Sequence, residues 1–152
     1  MIEPPKQRVL FVCIGNACRS QMAEAFARTY GADVIVAASA GLAPAGCVHP
    51  VTIQAMSEKN IDLKDHFPKE LRTMSRAQFD LVINMSGSFL PNPPSAKIVD
   101  WDIPDPVFME YEEHCHIRDD IERRVMLLIL DLRQANRGPK KRGQGSGGRL
   151  GL

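Results

Sequence analysis

The chain has 152 residues and a formal net charge of +1, with 44% hydrophobic and 24% charged side chains. This balance is typical of a globular protein and excludes a fibrous or highly charged one. No apolar run reaches the roughly 18–20 residues of a membrane span, and no signal-peptide pattern opens the chain. A cytoplasmic location without a membrane partner is therefore expected.

The cysteines and the C-terminal charge define the expected organisation. The four cysteines are irregularly spaced, which predicts neither a disulfide framework nor a zinc site. We expect no metal and no other cofactor.

The last sixteen residues carry five basic side chains and no acidic one, a composition typical of disorder. We predict a flexible lead-in at 1–7, a catalytic domain at 8–136 and a disordered basic tail at 137–152. For this tail a solubilising role is favoured over contact with nucleic acid or anionic lipid.

Strands and helices alternate along the domain. The apolar patterns predict strands at 8–12, 34–38, 81–85 and 97–99, longer helices at 18–30, 50–60 and 116–135, and single helical turns at 69–74 and 76–78. This alternation predicts a three-layer α/β fold, a four-stranded parallel doubly wound sheet with helices on both faces. Because ligands bind beyond the carboxyl ends of such strands, the loops at Cys13, Ser39, Ser86 and Asp105 are expected to converge on one cleft.

The turn after the first strand combines a thiol, a run of amides and a guanidinium. Unpaired N–H groups at a helix N-terminus attract anions, so Cys13 is a candidate nucleophilic thiolate, with Ser20 expected to hydrogen-bond its sulfur. Arg19 offers a planar fork of donors to two oxygens of a phosphate or arsenate. A cysteine alone at a strand end is usually a small buried hydrophobe, but these neighbours favour catalysis. The predicted phosphate-binding loop comprises Cys13, Ile14, Gly15, Asn16, Ala17, Cys18 and Arg19.

Attack of a thiolate on a phosphate ester needs a group that protonates the leaving oxygen. Asp105, held between two prolines, is the chosen acid, although an aspartate before proline is also ordinary turn chemistry. Asp100 and Asp102 are the competing carboxylates. Asn16 and Ser39 are expected to bond each other or the loop backbone and hold the loop open.

For His66 and the other three cysteines, the sequence allows more than one role. His66 either joins the network behind the loop or is solvated. Cys18 either forms a disulfide with Cys13 on oxidation, which would protect the nucleophile, or packs as a small residue at a helix start. The orientation of Cys47 is left open, and Cys115 is expected to be incidental.

The segment Val12–Ala25 resembles the signature of the low-molecular-weight protein tyrosine phosphatases and of the arsenate reductases that share their fold. Ser39-Ala40-Gly41, the 51–62 segment and Asp105-Pro106 are also similar, so the resemblance covers about residues 8–135. It implies Cys13 as nucleophile, Arg19 and the loop amides as phosphate binders, and Asp105 as general acid. It further implies a phosphocysteine intermediate that water hydrolyses without a metal.

Two departures from the family pattern bear on the substrate. Family phosphatases usually place an aromatic residue directly after Asp-Pro, whereas here Val107 precedes Phe108, and the 42–49 loop has no aromatic residue. Thioredoxin-coupled arsenate reductases carry two further cysteines just after the third strand, where this chain has residues 85–88 without cysteine. A reductase that uses an external low-molecular-weight thiol or glutaredoxin does not need that relay, and Gln21 is closer to reductase-like members.

From these features the sequence predicts a cysteine-dependent phosphatase that hydrolyses phosphotyrosine proteins or small aryl phosphate esters. The alternative is an arsenate reductase that uses arsenate and an external thiol donor. A third interpretation is a non-enzymatic phosphate-sensing module. The sequence does not favour a nucleic-acid partner, and it leaves the oligomeric state open.

Overall fold

A parallel sheet of four strands forms the centre of the computed structural model, which describes residues 5–95 and 97–138. In the order β2-β1-β3-β4, the strands are β1 (Gln7–Cys13), β2 (Ile35–Gly41), β3 (Leu81–Asn84) and β4 (Ile98–Asp100). The apolar run of β1 suits its interior position, because a parallel strand covered on both faces buries every side chain. Its last residue, Cys13, pairs with Gly41 of β2. The predicted α/β fold is confirmed.

Alternate side chains of β1 enter two separate cores. Val9 and Phe11 belong to the larger core, which includes Phe26 and Val125 from two helices, while Leu10 and Val12 pack with Leu71 on the other face. The three α-helices are α1 (Arg19–Tyr30), α2 (Pro50–Ser57) and α3 (Tyr111–Asn136). Two single-turn 3₁₀ helices, Leu71–Thr73 and Arg76–Gln78, lie in the segment between α2 and β3.

Helix boundaries differ from the prediction at two places. The last helix begins at Tyr111, five residues before the predicted start, because Glu110 and Glu113 form a reciprocal capping box there. The second helix ends at Ser57 and not at Asn60. Ser75 caps the second 3₁₀ turn, since its side chain accepts a hydrogen bond from the N–H of Ala77.

Parts of the predicted termini lie outside the described residues, namely 1–4 of the lead-in and 139–152 of the basic tail. Within the described part of the chain, no helix is long and apolar enough to cross a membrane.

Candidate active site

The loop between β1 and α1 is fixed by the backbone of the segment that follows β2. Three of its carbonyl groups accept hydrogen bonds from that segment: Leu42 N to Cys13 O at 3.1 Å, Ala43 N to Ile14 O at 2.8 Å, and Ala45 N to Gly15 O at 2.9 Å. Asn16 has a φ of 51°, a left-handed conformation that asparagine tolerates better than most residues. Because these carbonyl groups bond to the neighbouring segment, backbone N–H groups of the loop are left to bind an anion.

Gly41 permits this close approach between the two segments. A Cβ atom at Gly41 would stand 2.7 Å from the Ile14 carbonyl oxygen and 2.9 Å from the Asn16 nitrogen. Any side chain there would displace the loop backbone. The predicted Ser39-Ala40-Gly41 segment therefore shapes the loop at residues 13–19, the anion loop, through its glycine.

The thiol of Cys13 is buried and lies 2.9 Å from the hydroxyl of Ser20. The side-chain amide of Asn16 donates to that same hydroxyl at 2.7 Å, and the Asn16 oxygen accepts from the backbone N–H of Lys69 at 2.8 Å. Because the Ser20 oxygen already accepts a hydrogen bond, its own hydrogen is free to point at the sulfur. This arrangement stabilises negative charge on Cys13.

Arg19 is held by backbone carbonyls from the segments that follow β3 and β4. Its Nη1 donates to Met85 O at 2.5 Å and to Ile103 O at 3.0 Å, and its Nη2 lies 3.5 Å from Asp105 Oδ2. Its Nε is buried and meets no hydrogen-bond partner among the described residues. The guanidinium is thus fixed with one buried donor available for an oxyanion.

Asp105 is the carboxylate placed beside Arg19. Its side chain is 45% exposed, and its Oδ1 accepts a hydrogen bond from Val107 N at 3.1 Å, which orients the carboxyl group. Asp100 is instead bonded to the side-chain amide of Asn84 at 3.0 Å. Among the described residues, Arg19 forms an ion pair with no other carboxylate than Asp105.

The Ser39 hydroxyl makes a different contact from the predicted one. It donates to the buried carboxylate of Glu24 at 2.5 Å and not to Asn16 or the loop backbone. Since Ser39 stands on β2 and Glu24 on α1, the bond ties the helix that carries Arg19 to the sheet. Glu24 also pairs with Arg28 at 2.7 Å.

His66 joins the network behind the loop. Its Nδ1 lies 2.9 Å from Gln21 Oε1, and Gln21 Nε2 donates to the backbone oxygens of Asn16 at 3.0 Å and Phe67 at 3.1 Å. Burial lowers the pKa of His66, so a neutral ring is favoured near pH 7. Gln21 therefore links the irregular 61–69 segment to the anion loop.

Sequence reasoning missed a second buried polar chain on the other side of Cys18. Burial raises the pKa of the Cys18 thiol to about 11, although interaction with the Thr52 side chain lowers that pKa in part. The Thr52 hydroxyl lies 2.8 Å from Nε2 of His114, and both residues are fully buried. The apolar stripe of α3 contained a signal, because His114 falls one turn before Arg118 and two before Ile121 on the same face.

These features define an α/β protein whose first strand leads directly into a loop that carries a buried thiol and a fixed guanidinium. The family model "Low molecular weight phosphotyrosine protein phosphatase" matches residues 8–138, and the chain belongs to this enzyme family.

Several similar proteins are named for arsenate reduction. A glutaredoxin arsenate reductase from Synechocystis sp. is 35% identical over 81% of this chain and 96% of its own length. An arsenate reductase from Bacillus cereus is 36% identical over 79% and 92%. Among solved structures, an arsenate reductase in the phosphate-binding state has a TM-score of 0.75 at 35% identity, covering 83% of this chain and 98% of that one. The YwlE arginine phosphatase from Geobacillus stearothermophilus, at 24% identity, 89% and 98% coverage and a TM-score of 0.77, shares the fold.

Proposed function

We propose that the protein reduces arsenate to arsenite, with Cys13 as nucleophile, Arg19 and the loop amides as oxyanion binders, and Asp105 as acid. The observation that carries the proposal is the match to relatives named arsenate reductase, at 35% and 36% identity over almost their whole length. This reverses the order favoured by the sequence, in which phosphate ester hydrolysis came first.

The site has the groups that the first chemical step requires. The Cys13 sulfur attacks arsenic, an As–O bond breaks, and the departing oxygen leaves as water with a proton from Asp105. The Ser20 hydroxyl, 2.9 Å from the sulfur, stabilises the thiolate before attack. The Nε of Arg19, which has no hydrogen-bond partner among residues 5–95 and 97–138, binds an arsenate oxygen.

Arsenic is reduced in the second step. A second thiol attacks the Cys13 sulfur, the S–As bond breaks, and its electron pair stays on arsenic. As(V) thereby becomes As(III), and the two sulfurs are oxidised to a disulfide. Reduction of that disulfide by an external thiol or by glutaredoxin restores Cys13.

The surroundings of the loop suit a small inorganic oxyanion. Ala43 and Ala45 pair with the loop backbone, so the wall contributed by this segment is built of small side chains. Phe108, the aromatic residue nearest in sequence to Asp105, is 97% exposed. Arsenate needs no aromatic wall, whereas an aryl ester would gain from stacking on one.

Hydrolysis of phosphate monoesters is the second candidate. The matching family model is that of phosphotyrosine phosphatases, and Asp105 stands beside Arg19, where it can protonate an ester oxygen. The substrate would be a phosphorylated protein or a small aryl phosphate, and the intermediate a phosphocysteine.

Parallel assays on one preparation separate these candidates. We expect thiol-dependent formation of arsenite with glutathione, and faster formation when glutaredoxin is added. Cys13→Ser should abolish it, and Cys115→Ala should not change it. Hydrolysis of p-nitrophenyl phosphate without arsenite formation would favour the phosphatase, and phosphate binding without either turnover would favour a sensing module.

A further inference from the structure

His49 connects three parts of the molecule that meet at the site. Its backbone N–H donates to Ala17 O in the anion loop at 3.0 Å. Its Nδ1 accepts from Val51 N at 3.1 Å and so caps the start of α2. Its Nε2 lies 3.2 Å from Val107 O, two residues after Asp105. One residue therefore bonds to the anion loop, to α2 and to the segment that carries the proposed acid.

The two partners of the His49 ring determine where its hydrogen lies. Because Val51 N can only donate, Nδ1 must be the unprotonated acceptor. Because Val107 O can only accept, Nε2 must carry the hydrogen and donate it. A neutral ring with its hydrogen on Nε2 satisfies both bonds. The bridge from α2 to Val107 thus has a defined direction, with His49 as the donor to the acid segment.

Val107 passes this restraint on to Asp105. Its carbonyl oxygen is the partner of His49, and its own N–H donates to Asp105 Oδ1 at 3.1 Å. The other carboxyl oxygen, Oδ2, faces Arg19 Nη2 at 3.5 Å. Since the Asp105 side chain is largely exposed, packing restrains it little, and these contacts determine the direction of its carboxyl group.

We propose that His49 is a positioning residue that sets the distance between the acid Asp105 and the oxyanion bound in the anion loop. It acts through Val107, which it ties to the frame formed by the anion loop and α2. Misplacement of a reacting group by about 1 Å can cost roughly 10²-fold in rate. The inference rests on the proposed function only in taking Asp105 as the acid, and that role is the same for arsenate and for a phosphate ester.

Two substitutions of His49 separate the bridge from the helix cap. In His49→Asn the amide oxygen can take the place of Nδ1 and cap α2, but the side chain is too short to reach Val107. We expect its turnover number for arsenite formation to fall by about 10- to 100-fold, with an unchanged dissociation constant for inorganic phosphate. His49→Gln can place an N–H near the position of Nε2 and should restore most of the rate. His116→Asn is the matched control, because His116 is exposed on α3.

The split between turnover and binding distinguishes positioning of the acid from support of the loop. An unchanged turnover number in His49→Asn would overturn the proposal. Weaker phosphate binding in His49→Asn, in proportion to its slower turnover, would also overturn it, because His49 would then support the anion loop and not the acid.

A double variant tests whether the two residues act on one step. If His49 acts only through the acid, His49→Asn combined with Asp105→Asn should be no slower than Asp105→Asn alone. Losses that multiply in the double variant would contradict the proposal. This comparison does not depend on His49→Gln, so it decides the question even where that variant fails to fold.

Parallel substrates separate this inference from the proposed function. Each protein is assayed for arsenite formation with glutathione and for hydrolysis of phenyl phosphate, whose poor leaving group requires an acid. Release of phenol without arsenite would contradict arsenate reduction, and the same ratios among the variants would then still support the role of His49. Wild-type protein that forms neither product would contradict both.

Discussion

Single residues determine the shape of the anion loop. Asn16 takes the left-handed conformation and at the same time supports Ser20, so one side chain sets both the curvature of the loop and the donor to the Cys13 sulfur. Arg19 is fixed by two carbonyls before any ligand arrives. Such preorganisation spares the binding energy that would otherwise order these groups.

Gly41→Ala should weaken oxyanion binding. The new Cβ would overlap the Ile14 carbonyl oxygen at 2.7 Å, so the loop must shift, and overpacking of this kind costs about 1–3 kcal/mol. Titration with inorganic phosphate should show a dissociation constant raised by about 5- to 150-fold if this whole cost falls on binding. Gly46→Ala is the control, because a Cβ there meets nothing within 4 Å. Equal phosphate binding by the two variants would show that the loop does not depend on a glycine at position 41.

Asp105→Asn should slow arsenite formation by roughly 10²-fold, since general acids contribute about 10²–10⁴-fold. The amide keeps the shape of the carboxyl group but cannot release a proton. Asp102→Asn serves as the control, because Asp102 is an exposed residue of the same loop. Initial rates of arsenite formation at saturating arsenate measure this effect. Equal slowing of both variants would mean that a group other than Asp105 supplies the proton.

At the scale of elements, the sequence predicted the strands and α1 within a few residues. Their apolar runs have the periods that burial requires, and Gly31 ends the helix at a position where a Cβ would meet Ile129 at 2.6 Å. The start of α3 was missed because its first turn, Tyr111 to His114, is largely polar and carries no apolar stripe. Contacts between distant segments, such as Ser39 with Glu24, follow from the packing of α1 on β2, and local sequence patterns do not contain them.

The capping box of α3 contributes measurably to the free energy of unfolding. Glu113→Ala removes the side chain that accepts from Glu110 N at 3.4 Å, and loss of a cap costs about 0.5–2 kcal/mol. The long distance places the expected loss in the free energy of unfolding near the lower limit, about 0.5 kcal/mol. Glu112→Ala removes an equal charge from the same turn without touching the box. Urea unfolding of both variants should show the larger loss for Glu113→Ala.

For the whole molecule, the sheet order β2-β1-β3-β4 brings the site together. The central β1 supplies Cys13, β2 supplies the glycine against which the loop curls, and the segments after β3 and β4 supply the carbonyls that hold Arg19. Residues far apart in sequence therefore meet because parallel strands end at one edge of the sheet. The same packing buries His114 behind the site, where it meets no solvent.

That burial makes stability depend on pH. His66 and His114 both have a pKa lowered mainly by burial, so below about pH 6.5 the unfolded chain binds protons that the folded chain excludes. This stability is fully present above pH 6.5 and is lost as the pH falls below it, by at most about 1.4 kcal/mol per pH unit for each ring. Urea unfolding at pH 7.5 and 5.5 should show the drop. His114→Gln should reduce the drop, whereas the exposed His116→Gln should retain it, and equal slopes in the two variants would mean that His114 is protonated as readily in the folded chain as in the unfolded one.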